Sequence, residues 1–179
     1  MVQHLQIHLT QHHKIPLPSF AALLILIGFA LLQAAAVAAG PLNSRPGWAV
    51  HSTTKPYAQL IRDVITATKA QGLVVVTQAG PTKAAAARGI TIPGNRVIGV
   101  FNNDYAVRIL RRSTAAMIEA PIRLYVTEED NGDATLSYKT AIHVFAPYLA
   151  EGGPELADIA AELDQHLEAI AQKAVQSAP

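Results

Sequence analysis

Three consecutive polar residues, Asn102, Asn103 and Asp104, form the segment best suited to binding a ligand. They follow a predicted strand, Arg96 to Phe101, and precede a helical stretch that begins near Tyr105. A strand that leads directly into a helix points several unpaired backbone N–H groups at one place, which can hold an anion. The Asp104 carboxylate could instead occupy that place as an N-terminal cap. The segment therefore predicts either a ligand site or a capped helix start.

Three arginines follow this segment at helical spacing. Arg108, Arg111 and Arg112 share one face of the predicted helix, because residues three and four apart are neighbours on a helix surface. Such a face could receive an anion, a phospholipid headgroup or an acidic partner. The more ordinary outcome is a solvated face, or arginines paired with Glu119 or with an acidic turn of a second subunit.

Histidine is the other source of candidate chemistry. His51, His143 and His166 are the histidines that follow the predicted leader, and imidazoles can bind zinc or copper. They are not at helical ligand spacing, so each is better interpreted as a surface or packed residue. A metal- or redox-associated function would require at least two of His51, His143, Asp104 and Glu119 to converge. We keep His51 and His143 as weak metal candidates and predict no cofactor.

No catalytic motif is present in the sequence. Tyr138 beside Lys139 is similar to the proton-transfer pair of some reductases, but the dinucleotide-binding loop Gly-x-Gly-x-x-Gly that such a function needs is missing. Nucleophile-elbow, His-Glu-x-x-His and phosphate-loop motifs are also missing from the sequence. We therefore predict no catalytic residue, favour a non-enzymatic role, and keep Tyr138 as a ligand-binding candidate.

The spacing of apolar residues predicts the helices and strands that position these candidate residues. Apolar residues at three-and-four spacing over Tyr57 to Thr68 predict an amphipathic helix. Ile122 to Thr127 and Ala134 to Lys139 alternate around Asn131-Gly132, which predicts a hairpin. The unbroken run Leu73 to Val76 predicts a strand covered on both faces.

Further signals complete the predicted order. A first strand is predicted over Trp48 to Thr53, where apolar and polar residues alternate. A short helix is predicted over Thr82 to Arg88, with Gly89 as its C-terminal cap. The last helix is predicted to begin at Gly153-Pro154-Glu155. The order is β-α-β-α-β-α-β-β-α. It predicts a single two-layer α+β domain, with one mainly antiparallel sheet and helices on one face.

The amino-terminal region predicts export. Phe20 to Leu32 is an unbroken apolar run, and alanines that suit a signal peptidase follow it. We divide the chain into a signal peptide or N-terminal anchor (1–39), a linker (40–47) and the α+β domain (48–176). The predicted location is periplasmic or secreted. The alternative is an uncleaved segment anchored in the inner membrane.

Charge and cysteine content limit the partners. Removal of residues 1–39 removes Lys14 and no acidic residue, so 14 basic residues become 13 against 13 acidic ones. A formal charge of zero provides no field to gather phosphates, and we predict no nucleic-acid partner. The chain has no cysteine, which excludes disulfides and thiolate metal sites.

Several segments resemble the domain-of-unknown-function family numbered 302. The resemblance covers about Trp48 to Val175, and its best segment is the family's Phe-Gly-Asn-Pro at a strand end, which reads Phe-Asn-Asn-Asp over 101–104 here. It lies in these segments: Gly89 to Ile92, Arg96 to Asp104, Ala120 to Val126 and Ser137-Tyr138. The resemblance implies a small two-layer α+β domain that pairs as a homodimer, often behind a bacterial signal peptide. It implies no reaction.

These observations predict an uncharacterised exported domain that acts as a binding or interaction module and as a homodimer. Its other partners would be a small ligand or an envelope protein, and a membrane only through an uncleaved N-terminal segment. The alternatives are a small metal- or redox-associated envelope protein and an uncatalogued enzyme.

Overall fold

The computed structural model of the chain describes residues 42–176. The predicted signal segment, residues 1–39, lies outside the described residues. Within 42–176, none of the helices combines the length and the apolar character that crossing a bilayer requires.

Five strands form one sheet in the spatial order β1-β5-β4-β3-β2. Each strand is antiparallel to its neighbours, so the β4–β5 hairpin predicted around Asn131-Gly132 is confirmed. The strands are β1 (Trp48–Pro56), β2 (Val74–Ala79), β3 (Asn95–Phe101), β4 (Ile122–Glu128) and β5 (Asp133–Lys139).

The helices occur in the predicted order, with one short addition before the last. They are α1 (Tyr57–Ala70), α2 (Thr82–Ala86), α3 (Asn103–Leu110), α4 (Ala141–Phe145) and α5 (Leu149–Val175). Short 3₁₀ helices cover Ala115–Glu119 and Ala146–Tyr148. In α5 the backbone is non-helical at Gly153, whose φ is 67°, and the long segment continues from Pro154. Proline suits a first helical position because its missing N–H would have no helical partner there.

The core lies between one face of the sheet and the helices α1 and α5. Leu60 and Val64 of α1 are fully buried, as the three-and-four spacing predicts. Their partners on the sheet and on α5 are equally buried: Leu124, Val126, Leu136, Leu167 and Ile170. This packing confirms the predicted two-layer α+β class.

The opposite side of the sheet, which we call the open face, carries a different set of side chains. Residues directly opposite on paired strands share a face, so Tyr125 stands beside Ser137 and Val97. Ser137 in turn lies opposite Val50, and Trp48 lies opposite Lys139. The open face therefore combines aromatic, aliphatic and basic residues from four strands.

The prediction that Leu73 to Val76 is a strand covered on both faces is wrong. Most of this run lies in β2, which is an edge strand, and Val74 and Val76 are 54% and 49% exposed. The run Leu73 to Val76 is continuously apolar although only Leu73 and, in part, Val75 pack against the core.

Candidate functional site

The Asn102–Asp104 turn is a capped helix start. The Asn102 side-chain oxygen accepts hydrogen bonds from the backbone N–H of Asp104 at 2.8 Å and of Tyr105 at 3.2 Å. Its side-chain NH₂ donates to the Gly72 carbonyl at 3.0 Å. Asn102, and not Asp104, is therefore the cap, and Asn103 and Asp104 are exposed. The cavity beside Asn102 has a volume of only about 30 Å³. Ligand binding at this turn stays a prediction.

The predicted arginines face the last helix. Both terminal nitrogens of Arg108 donate to Glu162, at 2.6 and 2.8 Å, and Arg112 lies 3.5 Å from Glu155. The hydrogen bond from Arg108 lowers the pKa of Glu162. Arg111 joins them in lining a groove of about 290 Å³ between α3 and α5. Acidic residues of the same chain thus pair with two of the arginines.

Glu119 is not the partner of these arginines that the sequence suggested. Its carboxylate accepts a hydrogen bond from the Tyr148 hydroxyl at 2.7 Å and lies 4.0 Å from Arg123. The hydrogen bond to Glu119 raises the pKa of Tyr148.

Tyr138 and His51 meet on the side of the sheet that faces α5. Their rings stack with centroids 5.9 Å apart, and the Tyr138 hydroxyl donates to Glu168 at 2.9 Å. Burial, and then this hydrogen bond, raise the pKa of Tyr138 well above its ordinary value. The pKa of Glu168 is lowered, first by the hydrogen bond from Gln172 and also by that from Tyr138. The Nε2 atom of His51 lies 3.5 Å from the same carboxylate.

The histidines do not form a metal centre within the part of the chain that the structure describes. His143 is exposed at the start of α4, where its backbone N–H donates to Thr140. His166 makes an edge contact with Tyr105 at 5.7 Å. Over residues 42–176, no three histidine, aspartate or glutamate side chains are grouped so that they could hold a metal ion.

A cavity with a volume of about 350 Å³ lies on the open face. Tyr138 borders it, although the Tyr138 hydroxyl is engaged with Glu168. The other lining residues come from four strands, the first 3₁₀ helix and α4: Trp48, Asn95, Val97, Glu119, Ile122, Arg123, Tyr125, Lys139 and Val144.

The walls of this open-face cavity are mainly apolar, and several of its polar groups contact one another or the Trp48 ring. The Asn95 side-chain amide donates to the Tyr125 hydroxyl. The Lys139 ammonium lies 6.0 Å from the centre of the Trp48 ring, and the Arg45 guanidinium 5.2 Å from it, both within cation–π range. The arrangement can enclose an apolar group and present positive charge beside it.

Sequence reasoning missed this cavity, although it predicted the strands that build it. Trp48, Arg123 and Lys139 are far apart in the chain, and they meet only because β1, β5 and β4 are neighbours in the sheet. The available signal was the alternation within the strands, which places Arg123, Tyr125 and Thr127 on one face.

An antiparallel sheet with helices packed on one face defines a small α+β domain. The chain belongs to the family described as domain of unknown function DUF302, whose model matches residues 48–174. A solved structure with this fold is that of the uncharacterised conserved protein DUF302 from Bacillus stearothermophilus. It is 18% identical, with a TM-score of 0.64, over 73% of this chain and 99% of that one. No protein of curated function matches the chain.

Proposed function

We propose that this chain is an exported binding domain that holds a small organic ligand in the open-face cavity. The observation that carries the proposal is the cavity itself, because its volume of about 350 Å³ and mainly apolar walls suit a small molecule. Sites for small molecules are typically concave spaces of about 300–1,000 Å³ with a few placed polar groups. The fixed pair Asn95 and Tyr125 and the charges of Arg123 and Lys139 are polar groups of this kind.

Filling the cavity tests this proposal. A library of small organic compounds is screened by thermal shift, and each hit is checked for a change in Trp48 emission, since Trp48 is the only tryptophan in the chain and lines the cavity. Val97→Trp places a large ring in the cavity and should abolish binding of the hits. Its matched control is Val107→Trp on α3, where the side chain is 48% exposed and away from the cavity, and this variant should bind as the wild type does.

Two results would contradict the binding function. One is a screen in which no compound alters Trp48 emission. The other is a set of hits that bind Val97→Trp as tightly as the wild type. Circular dichroism of both tryptophan variants confirms that the fold is retained.

The exported location is part of the proposal and depends on the Phe20 to Leu32 segment. Cleavage after Ala36, Ala38 or Ala39 would release the described domain outside the cytoplasm. Intact-mass measurement of the protein from a periplasmic fraction should find one of these three amino termini. Recovery of the uncut chain from the cytosolic fraction would contradict export.

We also propose that two copies pair through β2. This edge strand, Val74 to Ala79, contains no charged residue and no proline, and all but one of its residues are exposed. Edge strands normally carry such residues because an unprotected edge pairs with other strands. The other edge, β1, does carry them, at Lys55 and Pro56.

A lysine on this edge tests the pairing. Val76→Lys should convert a dimer to a monomer in sedimentation and native mass spectrometry. Val107→Lys introduces the same charge at a similarly exposed valine on α3 and should leave the dimer intact. A monomeric wild type, or a dimer that survives Val76→Lys, would contradict pairing through β2.

A further inference from the structure

The open-face cavity carries an unusual pair of like charges. Lys139 of β5 and Arg123 of β4 each lie one residue beyond the paired residues Tyr138 and Leu124, so they are cross-strand neighbours. Both side chains line the cavity. Like charges opposite each other on neighbouring strands destabilise a sheet. A negatively charged group between them would remove that repulsion.

The Trp48 indole and the Glu119 carboxylate hold these two cations at the cavity. The Lys139 ammonium lies within 6.0 Å of the Trp48 ring centre, and the Arg123 guanidinium lies 4.0 Å from Glu119. Arg123 nevertheless remains 60% exposed, so it can donate to a further acceptor. The guanidinium is suited to this because it presents several N–H donors in a planar fork.

The charged side chains that line the cavity favour a ligand with a single negative charge. Lys139 and Arg123 contribute two positive charges, and Glu119 contributes one negative charge, so these three lining groups leave a net charge of one positive. Glu119 is already engaged with Tyr148 and Arg123. A monoanion balances these three lining groups, whereas a dianion would place further negative charge beside Glu119.

We propose that the open-face cavity selects a small organic monocarboxylate with an apolar body. The carboxylate lies between Lys139 and Arg123, and the apolar body lies against Val97, Ile122 and Val144. Charge-assisted hydrogen bonds to a carboxylate are roughly twice as strong as neutral ones. Among ligands of equal size, the cavity should therefore bind the negatively charged one most tightly. This inference depends on the proposed binding function and adds the chemical class of the ligand to it.

Three probes of matched size and different charge test the proposal: 3-phenylpropionate, 3-phenylpropanol and 3-phenylpropylamine. Calorimetric titration of the full domain gives the affinities, and Trp48 emission reports whether binding occurs in the cavity. We expect the acid to bind about tenfold more tightly than the alcohol, the difference that roughly 1.4 kcal/mol produces. The amine should bind most weakly.

Variants that remove the charge of Lys139 or Arg123 test whether these two cations cause the tighter binding of the acid. Lys139→Gln and Arg123→Gln should each weaken binding of the acid about five- to tenfold and leave binding of the alcohol unchanged. The control is Arg62→Gln, which removes an exposed charge on α1 outside the cavity lining and should change neither affinity.

The outcomes separate the two proposals. If acid and alcohol bind equally and Val97→Trp blocks both, the cavity binds ligands but the carboxylate selection is wrong. If Lys139→Gln and Arg123→Gln weaken acid and alcohol alike, the selection is also wrong. If none of the three probes changes Trp48 emission, the selection is overturned, and the compound screen decides the binding function separately.

Discussion

Trp48 and Lys139 lie directly opposite each other on β1 and β5, with the Lys139 ammonium 6.0 Å from the centre of the indole ring. This contact joins the first strand of the domain to the last and fixes a cation at the rim of the open-face cavity. Because Trp48 is the only tryptophan, its emission is a reporter built into the proposed site.

The bond between Tyr138 and Glu168 should contribute measurably to stability. Tyr138 is 3% exposed and its hydroxyl donates to the Glu168 carboxylate at 2.9 Å. Hydrogen bonds to charged groups contribute about 1.5–3 kcal/mol, and the partly exposed Glu168 places the expected value near the lower end. Tyr138→Phe should lower the free energy of unfolding by about 1.5 kcal/mol in urea titration.

Tyr57→Phe is the matched control for this substitution. The Tyr57 hydroxyl is buried and has no hydrogen-bond partner among residues 42–176. Its removal should leave the free energy of unfolding unchanged or raise it, because the hydroxyl is desolvated without compensation. If Tyr138→Phe and Tyr57→Phe lowered the free energy of unfolding equally, the Tyr138–Glu168 hydrogen bond would contribute nothing to stability.

The Asn102 cap should stabilise α3. Replacing an N-cap asparagine with alanine removes the acceptor for two backbone N–H groups and costs about 1 kcal/mol. Asn102→Ala should therefore lower the free energy of unfolding by about 1 kcal/mol, measured by chemical denaturation. Asn103→Ala changes the same residue type at the next, exposed position and should stay within about 0.5 kcal/mol of the wild type. A larger loss for Asn103→Ala would contradict the assignment of the cap.

The ion pair between Arg108 and Glu162 should make stability depend on acid pH. The hydrogen bond from Arg108 lowers the pKa of Glu162 below its ordinary value of 4.5. A lowered carboxyl pKa stabilises the folded state above pH 4.5, and this stabilisation is lost as the pH falls through the lowered pKa. Glu162→Gln should therefore melt below the wild type at pH 6, and the two melting temperatures should converge below pH 4.5.

Glu155→Gln serves as the control for this pH dependence. Glu155 has a single, longer contact of 3.5 Å with Arg112, so its removal should lower the melting temperature less at pH 6. A gap between wild type and Glu162→Gln that persists unchanged through acid pH would show that the Glu162 carboxylate is not stabilised by Arg108.

The elements with regular periodicity could be predicted from the sequence, because their burial is itself periodic. Leu60 and Val64 of α1 lie one turn apart and both point into the core. The β4–β5 hairpin follows from the Asn131-Gly132 turn, whose Gly132 has the positive φ that such turns require.

The remaining differences arise where local sequence does not determine the neighbours of a residue. Val74 and Val76 have the composition of a buried strand, but whether a strand is central or at an edge depends on the pairing of the whole sheet. Whether Asn102 or Asp104 is the cap depends on the residue at which α3 begins. A sequence pattern defines that residue only to within one or two positions. The open-face cavity is lined by residues of four strands at once, so no single segment of the sequence predicts it.

The central claim is that the ligand binds on the open face of the sheet, and nuclear magnetic resonance tests it most directly. The single indole N–H signal of Trp48 and the backbone amides of Arg123, Tyr125 and Lys139 can be followed during titration with 3-phenylpropionate. We predict that these four signals shift together and saturably, while the amides of α3 at Arg108 and Arg111 stay in place. Shifts confined to α3 and the facing part of α5, with an unmoved Trp48 signal, would contradict the account.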